Sequence, residues 1–173
     1  EAFAELGLGR IETIAGAAGG IRYVPFLSKK QMRTVVDGLV KALSDPARIL
    51  PGGFLYLNDI VADPQLLAQI GEVFATRFHR RSPDAVVTVE TGGIPIAVMT
   101  ARALNVPLAI VRRRGRLGDG TVVTMNYVSG SGRRIETMSL SRRAIVAGAR
   151  VLVVDDFMRA GGTARGLSDL MEE

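Results

Sequence analysis

Two adjacent carboxylates, Asp155 and Asp156, close the apolar run Val151-Leu152-Val153-Val154 and are followed closely by the small-residue stretch Ala160-Gly161-Gly162-Thr163. A turn of small residues entering a helix aims several backbone N–H groups and a helix N-terminus at one point, which suits a phosphate. The carboxylates cannot share that anion, because like charges a few ångströms apart repel. They call instead for sugar hydroxyls or a divalent cation, one ribose-length from the phosphate. A ribose 5-phosphate meets both demands better than a free phosphate does.

The elements that position these groups can be read around them. Four consecutive apolar, mostly β-branched residues read as a strand buried on both faces, since a one-sided strand would alternate apolar and polar side chains. Ala164 to Glu172, carrying Leu167, Leu170 and Met171, reads as a helix. This order of apolar strand, Asp-Asp and Gly-Gly-Thr resembles the phosphoribosyl-pyrophosphate (PRPP) signature of the type I phosphoribosyltransferase family. The metal-binding strand of a P-loop NTPase is a competing reading, but no G-x-x-x-x-G-K-[ST] occurs in the chain. A plain buried strand followed by an ordinary turn is the bland alternative.

The same logic recurs upstream. Ala85 to Val89 reads as a second buried strand, Glu90-Thr91-Gly92-Gly93 as a turn, and Ile94 to Leu104 as an apolar helix. In a doubly wound sheet such turns line the crevice at the carboxyl ends of the strands, so Thr91 to Gly93 is a candidate second anion site. Its alternative is a simple strand-to-helix connection. Pro107 to Val111 gives a further strand, and the spacing implies a parallel crossover.

Bulk properties narrow the class. With 173 residues the chain suffices for one substantial α/β domain and a small appendage. A hydrophobic fraction of 47% without an apolar run of about 18 residues indicates a soluble globular protein with no membrane span. The longest apolar region, Ile94 to Val111, is interrupted by Arg102 and Asn105, and the acidic start Glu1-Ala2-Phe3-Ala4-Glu5 is unlike a signal peptide. The absence of cysteine excludes disulfides and thiol catalysis and agrees with a cytoplasmic location. A net charge of +5 points to an anionic partner, either nucleic acid or a phosphorylated small molecule. The single histidine, His79, falls near the end of a helix, where a structural role opposite the helix dipole is the simplest reading.

Elsewhere the chain alternates turns and elements. Glu1 to Leu6 reads as the end of a helix, and the final helix lacks a following strand, so both ends are expected to lie inside a longer protein. Arg10 to Ile14 and Ile21 to Val24 flank a glycine-rich connection, which makes a hairpin. Such a hairpin after a helix end fits the wing of a winged-helix DNA-binding domain, with Arg10 and Arg22 placed to reach phosphates, although any appended hairpin reads alike. Ser28-Lys29-Lys30-Gln31 is a capping box opening a helix to about Leu43, with Met32, Val35, Val36, Leu39, Val40 and Leu43 on one stripe. Phe54 to Asn58 reads as a short strand, and Asp63-Pro64 caps a helix to about Phe78. Arg112 to Arg143 holds eight arginines, and Thr121 to Val128 with Ile135 to Leu140 read as an antiparallel pair joined through Ser129-Gly130-Ser131-Gly132. A basic hairpin over a phosphate site can close on a polyanion; a solvated face or a DNA surface reads the same way.

Several stretches together resemble one branch of this fold, the purine-operon repressors of Gram-positive bacteria. They are Gly16-Ala17-Ala18-Gly19-Gly20-Ile21-Arg22-Tyr23, Arg48 to Gly53, Asn126-Tyr127-Val128-Ser129-Gly130-Ser131, Thr137-Met138-Ser139-Leu140 and Asp155 to Thr163. The resemblance implies a type I phosphoribosyltransferase-like parallel sheet flanked by helices, with a flexible basic hairpin and the remnant of an N-terminal winged helix. Residues 1–26 would be the wing hairpin of that winged helix, and residues 27–173 an effector-binding domain truncated at its C-terminus. It implies a homodimer in the cytoplasm that binds operator DNA and no membrane. PRPP, with Mg2+ where the ligand brings it, would relieve repression, and guanosine tetraphosphate would compete for the pocket.

Carried onto this sequence, the resemblance has Asp155 and Asp156 hold the ribose hydroxyls. Ala160, Gly161, Gly162 and Thr163 would cradle the 5-phosphate, and Thr91, Gly92 and Gly93 would face the pyrophosphate. Phe157 would lie against a purine, with Met158, Arg159 and Tyr127 in the same pocket. No catalytic residue, required cofactor or resident protein metal site is implied. Enzymes of the family usually carry Thr or Ser where this chain has Ala160, and the residue at Gly92 departs from a basic one frequent there. The second reading is a purine phosphoribosyltransferase of the adenine or xanthine type, because Arg112-Arg113-Arg114-Gly115-Arg116-Leu117 resembles the basic loop of those enzymes.

Overall fold

The computed structural model describes residues 9–17, 19–24, 26–113, 117–128, 135–158 and 160–173. Side-chain caps fix where the helices begin. Ser28 Oγ accepts from Gln31 N at 3.3 Å while Gln31 Oε1 accepts from Ser28 N at 2.9 Å, closing the expected capping box before α1 (Lys29–Leu43). Asp63 Oδ1 accepts from Gln65 N at 2.9 Å and Leu66 N at 3.1 Å, and Pro64 opens α3 (Pro64–Phe78). A short α2 (Asn58–Ala62), absent from the sequence reading, precedes it.

The expected strand over Phe54 to Asn58 is shorter. Ile49–Leu50 (β3) pairs antiparallel with Phe54–Leu55 (β4), and Asn58 opens α2 instead. The reason lies in Arg48, whose Nη1 donates to Asp59 Oδ1 at 2.7 Å and to the Tyr56 carbonyl at 3.0 Å, while its Nη2 donates to Asp59 Oδ2 at 2.5 Å. This fork ties the segment back on itself. At the other end of α3, His79 accepts its expected structural place: its Nδ1 lies 2.9 Å from the Thr76 carbonyl and its ring meets Phe26 edge-on at 5.3 Å.

The central sheet has the order β6 (Leu108–Val111), β5 (Ala85–Val89), β9 (Val151–Val153), all parallel. Every residue of β5 is buried. The run Val151 to Val154 packs on both faces, Leu152 and Val154 against one core and Val151 against the other, but among the described residues β9 pairs only with β5, and Val153 at the cavity is 36% exposed. An unbroken β-branched run does not say how many neighbours a strand has, and the middle place belongs to β5.

Side-chain alternation divides the core between the two faces. Val86 and Val154 pack with α3 and α4 (Ile94–Leu104) through Leu67, Ile70, Ile96 and Leu104. Val87, Val89, Ala109 and Val111 pack on the other face with Leu167 and Leu170 of α5 (Gly162–Glu172) and with Met138, Leu140 and Tyr127 of the hairpin β7 (Val122–Val128) and β8 (Ile135–Ser141). α1 contributes less than its apolar stripe suggests, because Leu39 and Leu43 touch the first core whereas Val36 and Val40 are 40% and 57% exposed. The N-terminal hairpin pairs β1 (Arg10–Ile14) with β2 (Gly20–Val24) in the register Arg10 to Val24; the side chains of Arg10 and Arg22 lie outside the described residues. Among the described residues no helix is long and apolar enough to cross a membrane.

The α3–α4 contact fixes one prediction. A methyl group on Gly71 of α3 would come within 2.6 Å of the Met99 carbonyl of α4, a backbone neighbour that cannot step aside. Gly71→Ala is expected to lower stability by about 2 kcal/mol in urea melts despite the better helix propensity of alanine.

Candidate ligand-binding site

The parallel register sets where the site forms. Val86 faces Leu152 and Val87 faces Val153, so β5 and β9 end side by side and their following loops leave from the same edge of the sheet. A cavity of about 540 Å3 opens there, within the usual range for a small-molecule site. Asp155 and Asp156 lie on one side, and Ala160, Gly161, Gly162 and Thr163 bend round another. Gly161 adopts φ 75°, a conformation that favours glycine, and turns the chain directly into the N-terminus of α5.

The glycines of the first loop permit a close approach. A methyl on Gly92 would overlap the Asp156 carboxylate, and one on Gly93 would lie 2.5 Å from Thr88 Oγ1 and 2.8 Å from Asp155 Oδ1. Any larger residue at these two positions forces the acid pair to move. The Glu90–Thr91 peptide between β5 and this turn is cis.

Electrostatically the acid pair is crowded. Burial pushes the Asp155 carboxyl up to about 6, and hydrogen bonding with Asp156 adds to the shift, while the Asp156 amide and Arg113 oppose it. The Asp156 N–H donates to Asp155 Oδ1 at 3.0 Å. Such a pair is eased by hydroxyl donors or a cation, the chemistry expected from its residue types.

Of the residues singled out from sequence, Thr91, Gly92, Tyr127, Asp155, Asp156, Phe157, Met158, Ala160, Gly161, Gly162 and Thr163 line this one cavity. Gly93 packs beneath Asp155 rather than lining it. Arg159 lies outside the described residues, as do the expected joining residues Ser129 to Gly132 and Arg114, Arg116, Arg133 and Arg134. Arg113, from the basic segment expected over the phosphate site, also lines the cavity, as do Phe54, Phe74 and Glu90, which were not foreseen. Glu90 directly follows strand β5, a position that could have flagged it. Phe54 arrives from the β3–β4 hairpin, far away in sequence, and no local pattern announces it.

Tyr127 is buried, and its hydroxyl donates to Glu136 Oε2 at 2.7 Å. Burial first, and then this contact, push its phenol up from the ordinary tyrosine range. Arg113 Nη1 lies 2.5 Å from the same carboxylate oxygen, and Glu90 Oε1 accepts from Arg113 N at 2.7 Å. Among the described residues no group of three or more His, Cys, Asp or Glu side chains could hold a metal ion.

The family model for a phosphoribosyl transferase domain matches residues 57–173, and that for the N-terminal part of bacterial purine repressors matches residues 1–25. The chain belongs to the phosphoribosyl transferase domain family. Within its wider family it is 45% identical over 173 residues to the purine biosynthesis transcriptional repressor PurR of Bacillus subtilis, covering 100% of this chain and 61% of that protein. It is 40% identical over 171 residues to the purine biosynthesis transcriptional activator PurR of Lactococcus lactis, covering 99% of this chain and 63% of that protein. The chain thus spans about three fifths of the length of these regulators. A xanthine phosphoribosyltransferase of Exiguobacterium is 37% identical over 144 residues, covering 83% of this chain and 72% of that enzyme. Among solved structures, adenine phosphoribosyltransferase from Rhodothermus marinus superposes with a TM-score of 0.68 at 27% identity over 81% of this chain and 79% of that one.

The raised pKa of Asp155 makes stability depend on pH. Between about pH 4 and 6 the folded protein keeps a proton that the unfolded chain has released, so this group lowers stability as pH rises through that window and costs most above it. Asp155→Asn is expected to melt higher than the parent protein at pH 7.5, with the advantage gone at pH 4. Equal differences in melting temperature at both pH values would contradict the assignment.

Proposed function

We propose that this chain is part of a DNA-binding transcriptional repressor of purine biosynthesis genes, whose phosphoribosyltransferase-like pocket binds PRPP as an effector without turning it over. The observation that carries the reading is the convergence of the acid pair, the Thr91–Gly92 turn and the Ala160–Thr163 bend on one cavity. The match of residues 1–25 to bacterial purine repressors favours a regulator over an enzyme. Repression rather than activation is favoured by the higher identity to the Bacillus protein, 45% against 40%.

In this reading Asp155 and Asp156 accept the ribose hydroxyls, and the N–H groups of the bend with the Thr163 hydroxyl take the 5-phosphate. Thr91 and Gly92 face the pyrophosphate. Phe157 and Phe54, both lining the cavity, offer apolar walls to a purine base, which supports guanosine tetraphosphate as a competing ligand. Two protein carboxylates fit a magnesium ion that keeps its other ligands from water and the ligand's oxygens, so Mg2+ would enter with PRPP. In this reading residues 1–26 belong to the DNA-binding part, where Arg10 and Arg22 would serve operator phosphates, and residues 27–173 to the effector domain. The protein acts as a cytoplasmic homodimer, and PRPP binding changes its affinity for DNA.

A purine phosphoribosyltransferase is the second reading, favoured by the 37% identity to a xanthine enzyme. Incubation with PRPP and adenine, guanine, hypoxanthine or xanthine separates the two. No nucleotide is expected, and turnover at about 1 s−1 or faster would overturn the regulator assignment. The double substitution Asp155→Asn with Asp156→Asn is expected to weaken PRPP binding at least ~100-fold in calorimetry while the fold persists, because it removes two charged acceptors. An unchanged dissociation constant would refute the assigned role.

A further inference from the structure

Among the described residues, Arg113 is the one basic side chain lining the cavity. It is already engaged. Its Nη1 lies 2.5 Å from Glu136 Oε2, and the same oxygen accepts the Tyr127 hydroxyl at 2.7 Å. Glu90 holds it as well, its Oε1 accepting from the Arg113 backbone N at 2.7 Å and its carbonyl from the guanidinium Nε at 3.3 Å. Tyr127 packs in turn on α5, where a methyl on Gly166 would come within 2.8 Å of its Cβ. Contacts therefore run from the cation at the end of β6, across both strands of the β7–β8 hairpin, to α5.

A pocket suited to a polyanion thus has its described lining cation neutralised by an internal carboxylate. An arriving anion must either accept Glu136 as a repelling neighbour or take its place, and displacement is accessible because the Arg113 and Glu136 side chains are 49% and 32% exposed. Charge-assisted bonds of a guanidinium to an oxyanion are strong enough for one carboxylate to exclude another ligand. Specificity built this way works by penalising the wrong ligand.

We propose that Glu136 is a specificity-determining residue of the pocket, an internal counter-anion that occupies Arg113 until a ligand carrying a second anionic group displaces it. The inference rests on the reading of the cavity as a site for a phosphorylated ribose bearing a pyrophosphate arm. A ribose monophosphate held at the α5 bend leaves the Arg113–Glu136 contact closed. A ligand with both groups opens it, while the Arg112–Ser139 backbone pair keeps β8 tied to the end of β6. The pocket thereby discriminates between the two ligands at a residue that touches neither the ribose nor its 5-phosphate.

Calorimetry with inorganic pyrophosphate, ribose 5-phosphate and PRPP tests this on the whole chain. Glu136→Gln retains an acceptor for Tyr127 but removes the charge. It is expected to bind pyrophosphate and PRPP about tenfold tighter and ribose 5-phosphate within about twofold of the parent protein. Arg113→Gln is expected to weaken pyrophosphate binding, and in the double variant the gain from Glu136→Gln should vanish, since both changes act on one contact. Should Glu136→Gln fold poorly, Glu136→Asp, which withdraws the carboxylate by one methylene, is expected to give a smaller tightening of the same sign. If PRPP binds the parent protein and neither Glu136 variant binds it or pyrophosphate more tightly, the contact merely staples the hairpin and the inference fails alone. If neither parent nor variants bind PRPP or pyrophosphate, the ligand reading falls with it.

Discussion

Two carboxylates pressed against a glycine turn, at the edge where two parallel strands end together, set the terms for everything else in this protein. Carboxylates in such a place lose solvation and repel each other, and Asp155 responds by holding its proton to about pH 6. The sheet can tolerate this because both of its faces are covered: α3 and α4 close one side, and α5 with the β7–β8 hairpin closes the other. The strain of the corner is thus carried by packing that lies outside it, the usual relation between a functional site and its scaffold.

Similarity of fold leaves the choice between enzyme and regulator open, because one architecture serves both. The matched relatives include purine regulators and a xanthine phosphoribosyltransferase, and the pocket's frame of acid pair and glycine turns suits the shared ligand chemistry of either. What inclines the reading is peripheral: the match of residues 1–25 to the N-terminal part of bacterial purine repressors.

Much of this arrangement was legible because it is local. Caps at Ser28 and Asp63, the apolar periods of α3 and α4, the β-branched run of β5 and the paired segments of β7 and β8 each declare themselves within a few residues. The acid pair and the small-residue bend were equally plain, since their chemistry is written in adjacent positions. What composition could not supply was neighbourhood. The middle place of β5 over β9, the weak burial of α1, and the entry of Phe54 and Phe74 into the cavity all depend on pairings between distant segments. The shortened β4 failed for another reason: the Arg48–Asp59 fork competes locally with strand formation, and an isolated Arg and Asp carry no pattern.

The β5–β9 pairing has one more effect. The two loops that make the pocket belong to segments that no hairpin or short helix connects, so neither loop alone can shape a cavity, and the site exists only once that distant pairing has closed. Occupancy therefore serves as a gauge of the whole sheet. A ligand held between the loops clamps two remote stretches of chain and favours the folded population by mass action. A defect deep in either core will surface first as lost affinity at a place it never touches.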